Sequence, residues 1–71
     1  MDFEIGAVYQ TPYGRAKAFK LKSKRVNTRT VCFVILQVSA EALALGYQNG
    51  APFLAHPEDA TEPRPSTWPK L

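Results

Sequence analysis

The chain has 71 residues, nine basic and six acidic side chains for a net charge of +3, and a single cysteine, Cys32. Folding at this length buries only about 60% of the surface the unfolded chain exposes, which leaves room for one domain and excludes a second. One cysteine excludes an intramolecular disulfide and a zinc-type cysteine cluster and fits a reducing, cytoplasmic setting, and no uncharged run reaches the roughly 20 residues of a membrane-spanning helix.

Met1 to Gly6 opens with acids rather than with a basic segment and an apolar run, so it reads as mature sequence and not as a secretory signal. Ile5 to Tyr9 has the composition of a first strand, and Thr11-Pro12-Tyr13-Gly14 supplies the turn that ends it: proline fixes φ, and glycine tolerates φ > 0. Arg15 to Val26 then alternates basic and apolar residues with the period of a half-buried strand. Lys20, Lys22 and Lys24 share one face, and Phe19, Leu21 and Ser23 the other. Upstream, Arg15 and Lys17 run in the opposite phase against Ala16 and Ala18. One extra residue near Ala18 and Phe19, a β-bulge, restores the phase, keeps the cations outside and bends the strand.

Asn27-Thr28-Arg29 reads as a tight connection. Val31 to Val38 follows as the most hydrophobic run, a central strand whose lack of alternation implies cover on both faces, from the tail or from a second subunit. Cys32 in that run behaves as a small core hydrophobe. Ser39 is placed to cap a short helix over 40–45, with Glu41 near its N-terminus and Gly46 to end it. Gln48-Asn49-Gly50 is a turn signal, and Ala51 to Ala55 reads as a short edge strand beginning beside Pro52. These elements define a domain over 1–55. Residues 56–71 carry four prolines and form an extended tail, in which Trp68 is the one indole, placed to dock either on the domain, the favoured reading, or on a partner.

Gly14-Arg15, Lys24-Arg25-Val26-Asn27 and Arg29-Thr30-Val31, set in a bent basic strand after a Thr-Pro-Tyr-Gly turn, resemble the strand, turn and strand of small SH3-like β-barrel modules. The resemblance covers Gly6 to Leu36 and implies a mainly β fold: a small SH3-like barrel or a strongly bent antiparallel sheet, with one short helix. Some modules of this kind attach to nucleic acid or ribosomes, but the architecture hosts many activities.

Charge is segregated along the chain. Arg15, Lys17, Lys20, Lys22, Lys24, Arg25 and Arg29 are seven of the nine cations, and no acid lies between Ile5 and Ala40. Residues two apart on a strand project the same way about every 6.7 Å, so these cations form a row suited to phosphates, with Tyr9 and Tyr13 at the neighbouring turn as rings for base stacking. The competing reading is a solvated edge strand, on which the same lysines serve solubility and guard against unwanted sheet pairing. The leading reading is therefore a non-enzymatic module that binds a polyanion, above all nucleic acid. The alternative is a small inhibitor or adaptor, of the kind phages and mobile elements encode, that binds an acidic protein surface. No cofactor, metal or catalytic residue is expected. Cys32 with His56, and Ser39 with His56 and Asp59, supply residue types without an activating context, and His56, Glu58 and Asp59 lack the supporting shell of a metal site. The thin core and the apolar Val31 to Val38 run point to homo-oligomerisation.

Overall fold

A computed structural model describes residues 3–21, 30–60 and 62–71. The expectations for Lys22, Lys24, Arg25, Val26 and the Asn27-Thr28-Arg29 connection lie outside the described residues. Strands β1 (Val8–Thr11), β2 (Gly14–Leu21), β3 (Val31–Val38) and β4 (Pro52–Ala55) form one antiparallel sheet in the order β1-β2-β3-β4, with helix α1 (Ala40–Ala44) between β3 and β4. The sheet is open: β1 and β4 are not neighbours. Of the two expected forms, the closed barrel is not the one present.

The first strand lies later than its composition suggested. Gly6, at φ 94°, takes part in a turn in which Ala7 N–H donates to the Glu4 carbonyl, and pairing runs to Thr11, opposite Gly14. Pro12 and Tyr13 are the hairpin's two loop residues. The Thr11 hydroxyl bonds to both sides of that loop, accepting from Tyr13 N–H at 3.1 Å and donating to the Gly14 carbonyl at 2.9 Å.

The bulge expected near Ala18 and Phe19 is present. Ala18 faces Phe33 and Lys20 faces Cys32, which leaves Phe19 without a cross-strand partner. A second shift, between Arg15 and Ala16, leaves Leu36 unpaired on β3. The two irregularities set Ala16, Ala18, Val31, Phe33, Ile35, Phe53 and Ala55 on the inner face, all buried.

Helix α1 begins as read: the Ser39 hydroxyl accepts from Ala42 N–H at 3.2 Å and itself donates to the Pro12 carbonyl at 2.9 Å, tying the helix to the first hairpin. Within the described residues of one chain, the tail covers one face of β3 and not the other. Its inner residues are buried, whereas Cys32 and Val34 are half-buried and Leu36 is exposed on the other side. The reason is the path of the tail, which runs beneath the inner face and brings Trp68 into the core. Cys32 accordingly lies on the outer side of the sheet and not in the core.

The tail is held by several kinds of contact. Ser66 N–H donates to the Pro57 carbonyl, a single 3-10 turn spans Pro65–Thr67, and Gln10 N–H and Leu71 N–H bond to the Pro69 and Val8 carbonyls at 2.9 and 2.8 Å. Lys70 thereby pairs with Tyr9 along the edge of β1.

Candidate nucleic-acid interface

The pairing register fixes which side chains share the outer face. Gln10, Arg15 and Gln37 make one row across the sheet, Val8, Lys17, Val34 and Pro52 a second, and Lys20, Cys32 and Leu54 a third. Arg15, Lys17 and Lys20 are all exposed. None of the four strands contains an acid, and among the described residues these three cations form no ion pair. The cations of the tail differ: Lys70 Nζ lies 2.8 Å from Glu4 Oε1, and Arg64 Nη1 lies 3.9 Å from Glu58 Oε1. The bond from Lys70, and then its charge, hold the Glu4 carboxyl below its ordinary value, and the same bond holds the Lys70 ammonium above its own.

Around Arg15 the surface is recessed. A depression of about 280 Å³ is lined by Gln10, Gly14, Arg15, Gln37, Val38 and Ser39, so that one guanidinium and two side-chain amides border a single concavity. Such a set supplies hydrogen-bond donors to an anionic oxygen without a competing carboxylate.

The two tyrosines proposed as stacking platforms stand elsewhere. Tyr9 is buried, its ring set edge-on to Phe3 and Phe33 at 5.4 and 5.9 Å and its hydroxyl accepting from Glu4 N–H, so no ring face is free for a base. Tyr13 is half-buried and packs on Phe53 and Tyr47 at 4.5 and 4.9 Å, on the core side of the sheet and away from the cations. Burial holds its hydroxyl above the ordinary value, with smaller contributions from Tyr47 and the charge of Asp59.

Alternation placed Phe19 on the inner face, and the structure places it in solvent, 45% exposed. Phe3, Tyr9, Tyr13, Phe33, Tyr47, Phe53 and Trp68 pack against one another. Of the chain's eight aromatic residues, Phe19 alone stands outside that cluster. It sits between Lys17 and Lys20. The sequence signal for its position was the bulge itself, because an inserted residue has no cross-strand neighbour to hold it against the core.

The remaining polar candidates do not assemble. His56 Nδ1 accepts from Glu58 N–H at 3.1 Å within a turn, and among the described residues no three His, Cys, Asp or Glu side chains gather as a metal site. Among the described residues no helix is long and apolar enough to cross a membrane. In comparisons with known proteins, the chain matches no family model, no curated sequence and no solved structure.

Proposed function

We propose that the chain is a non-enzymatic module that binds nucleic acid, single strands in preference to duplex, through the outer face of β2. The observation that carries this reading is the run Arg15, Lys17, Phe19 and Lys20: three exposed cations with no acid in any strand, and one exposed aromatic ring between them. Cations track phosphates and release their counterions, and a ring in solvent offers a base a face on which to stack. Lys22, Lys24, Arg25 and Arg29 extend the positive run in sequence. The likeness to small SH3-like modules belongs to the same reading. It is supported by the two-residue hairpin, the bulged basic strand, and the 3-10 turn after which the chain returns to the edge of β1.

Titration of labelled single-stranded DNA and RNA across a salt series tests the proposal. Affinity falls with salt by a log–log slope of about −2 for three phosphate contacts, more steeply if the cations of 22–29 engage. Lys17→Gln with Lys20→Gln makes the slope shallower by about 1.4. Phe19→Ala weakens binding by about 1–3 kcal/mol and leaves the slope unchanged, since stacking releases no ions. Affinity indifferent to salt, or no binding at about 50 mM salt, overturns the reading.

One observation favours an acidic protein surface instead: Val34, Cys32 and Leu54 border the cations on the same face and give it an apolar half. Retention of a protein partner after nuclease treatment of a lysate is the result that separates this second reading from the first.

A further inference from the structure

The two edges of the sheet are finished differently. Along β1 the tail supplies backbone partners through Pro69, Lys70 and Leu71. Along the far side of β4, among the described residues, no backbone hydrogen bond is made. Edge strands are guarded by shortness, by proline or by charge; β4 is four residues long and begins with Pro52, but Phe53, Leu54 and Ala55 carry no charge and Leu54 is 55% exposed.

The direction of the free groups follows from the ladder. Ile35 N–H donates to the Ala51 carbonyl at 2.9 Å. Bonded pairs alternate in an antiparallel ladder, so Phe33 with Phe53 and Val31 with Ala55 are the next two. The N–H and C=O of Leu54 and the C=O of Pro52 therefore point away from β3, and one residue further the N–H of His56 does so too. The His56 carbonyl is already occupied, accepting from Asp59 N–H at 3.0 Å.

We propose that β4 pairs with β4 of a second copy, antiparallel about a two-fold axis at Leu54. In that register each Leu54 N–H donates to the partner's Leu54 carbonyl, and each His56 N–H donates to the partner's Pro52 carbonyl. The position where a donor is missing, the proline nitrogen, falls opposite the partner's His56 carbonyl, which Asp59 already satisfies. The pattern of available and absent groups is thus self-complementary. Both Leu54 side chains lie on the outer face opposite Cys32, beside a shallow depression of about 230 Å³ lined by Cys32, Pro52, Phe53 and Leu54, and they cover one another there.

Charge selects the second copy's position. Stacking two outer faces brings the two sets of cations to about 10 Å with no acid between them, whereas edge pairing leaves five strand spacings between the β2 strands, about 24 Å. That separation exceeds the roughly 8 Å screening length at physiological salt. An interface of four hydrogen bonds and one pair of leucines lies well below the roughly 1,200 Å² of a stable complex, so the dimer is weak and concentration-dependent. The inference does not rest on the nucleic-acid reading. Where both hold, an eight-stranded sheet carries two basic rows on one side.

Sedimentation of the full chain without nucleic acid, from about 5 to about 500 µM, is the test. The weight-average mass rises from 7.9 kDa toward twice that value, and exchange of the Leu54 and His56 amide protons slows severalfold with concentration. Leu54→Lys stays monomeric with its near-ultraviolet tryptophan signal intact, and N-methylation of the Leu54 amide in synthetic protein does the same while keeping the side chain. A constant 7.9 kDa, equal self-association by both variants, or association that leaves the Leu54 amide unprotected overturns the proposal.

Discussion

Gly14 is the residue on which the first hairpin turns. Its φ is 108°, and a Cβ there would drive into the Gln37 carbonyl and the Ser39 nitrogen, both backbone atoms that a rotamer change cannot move. Gly14→Ala adds left-handed strain to a collision with β3 and is expected to cost on the order of 3 kcal/mol. Thermal unfolding then drops by at least about 12 °C, given roughly 4–8 °C per kcal/mol for a domain of this size. An unchanged midpoint means that the β2–β3 approach at Gly14 is not as tight as described. At this scale much was legible. The sequence Thr11-Pro12-Tyr13-Gly14 announces a turn because each residue restricts or frees the backbone locally, and Ser39 announces a cap for the same reason. Tyr9 was harder to place. Its ring turns inward because it faces Ala16 across the hairpin, and a small residue that leaves room for a ring is a property of the neighbouring strand, not of the turn beside which Tyr9 was read.

Among the elements, β2 and the tail differed in what their sequences conveyed. The phase reversal from Lys17 to Lys20 located the bulge, because alternation on a pleated strand is a strict two-residue rule. The direction of Phe19 was lost in the same step, since the inserted residue is the one that the rule does not cover. In the tail, prolines signal the absence of regular backbone bonding but say nothing about side-chain burial, and the tail supplies the core's largest ring. Trp68 lies 5.8 Å from Phe3 in a stacked pair and 5.7 and 6.2 Å from Phe33 and Phe53 in edge-to-face pairs. Its indole Nε1 is buried with no hydrogen-bond partner among the described residues. Trp68→Ala is expected to cost about 3–5 kcal/mol, a large part of the roughly 4–10 kcal/mol a chain of this length commands. Trp68→Phe costs much less than half of that, because the smaller ring keeps most of the packing and removes an unpaired buried donor. Urea unfolding of the two variants checks the ratio, and equal losses mean that the indole nitrogen is satisfied in solution.

At the scale of the whole molecule, charge and stability are set against each other. Two acids of the described chain lie beside tail cations, Glu4 with Lys70 and Glu58 with Arg64, while Arg15, Lys17 and Lys20 share one face without an acid in any strand. Exposed like charges repel, and a small domain with a thin core bears that repulsion at a cost to its own stability. A surface serving solubility alone gains nothing from such segregation, because intermixed signs keep a protein soluble at lower electrostatic cost. Sites kept for binding do commonly cost stability. Raising sodium chloride from about 20 to about 300 mM, which shortens the screening length severalfold, is therefore expected to raise the melting midpoint by a few degrees. Lys17→Gln with Lys20→Gln raises the midpoint at low salt and flattens its salt dependence, and the same pair weakens binding to single-stranded nucleic acid. Opposite signs for stability and binding in one variant are the mark of a charge cluster held for a ligand. A midpoint indifferent to salt in the parent chain shows instead that the cations do not repel at their folded spacing, and removes the stability half of this argument.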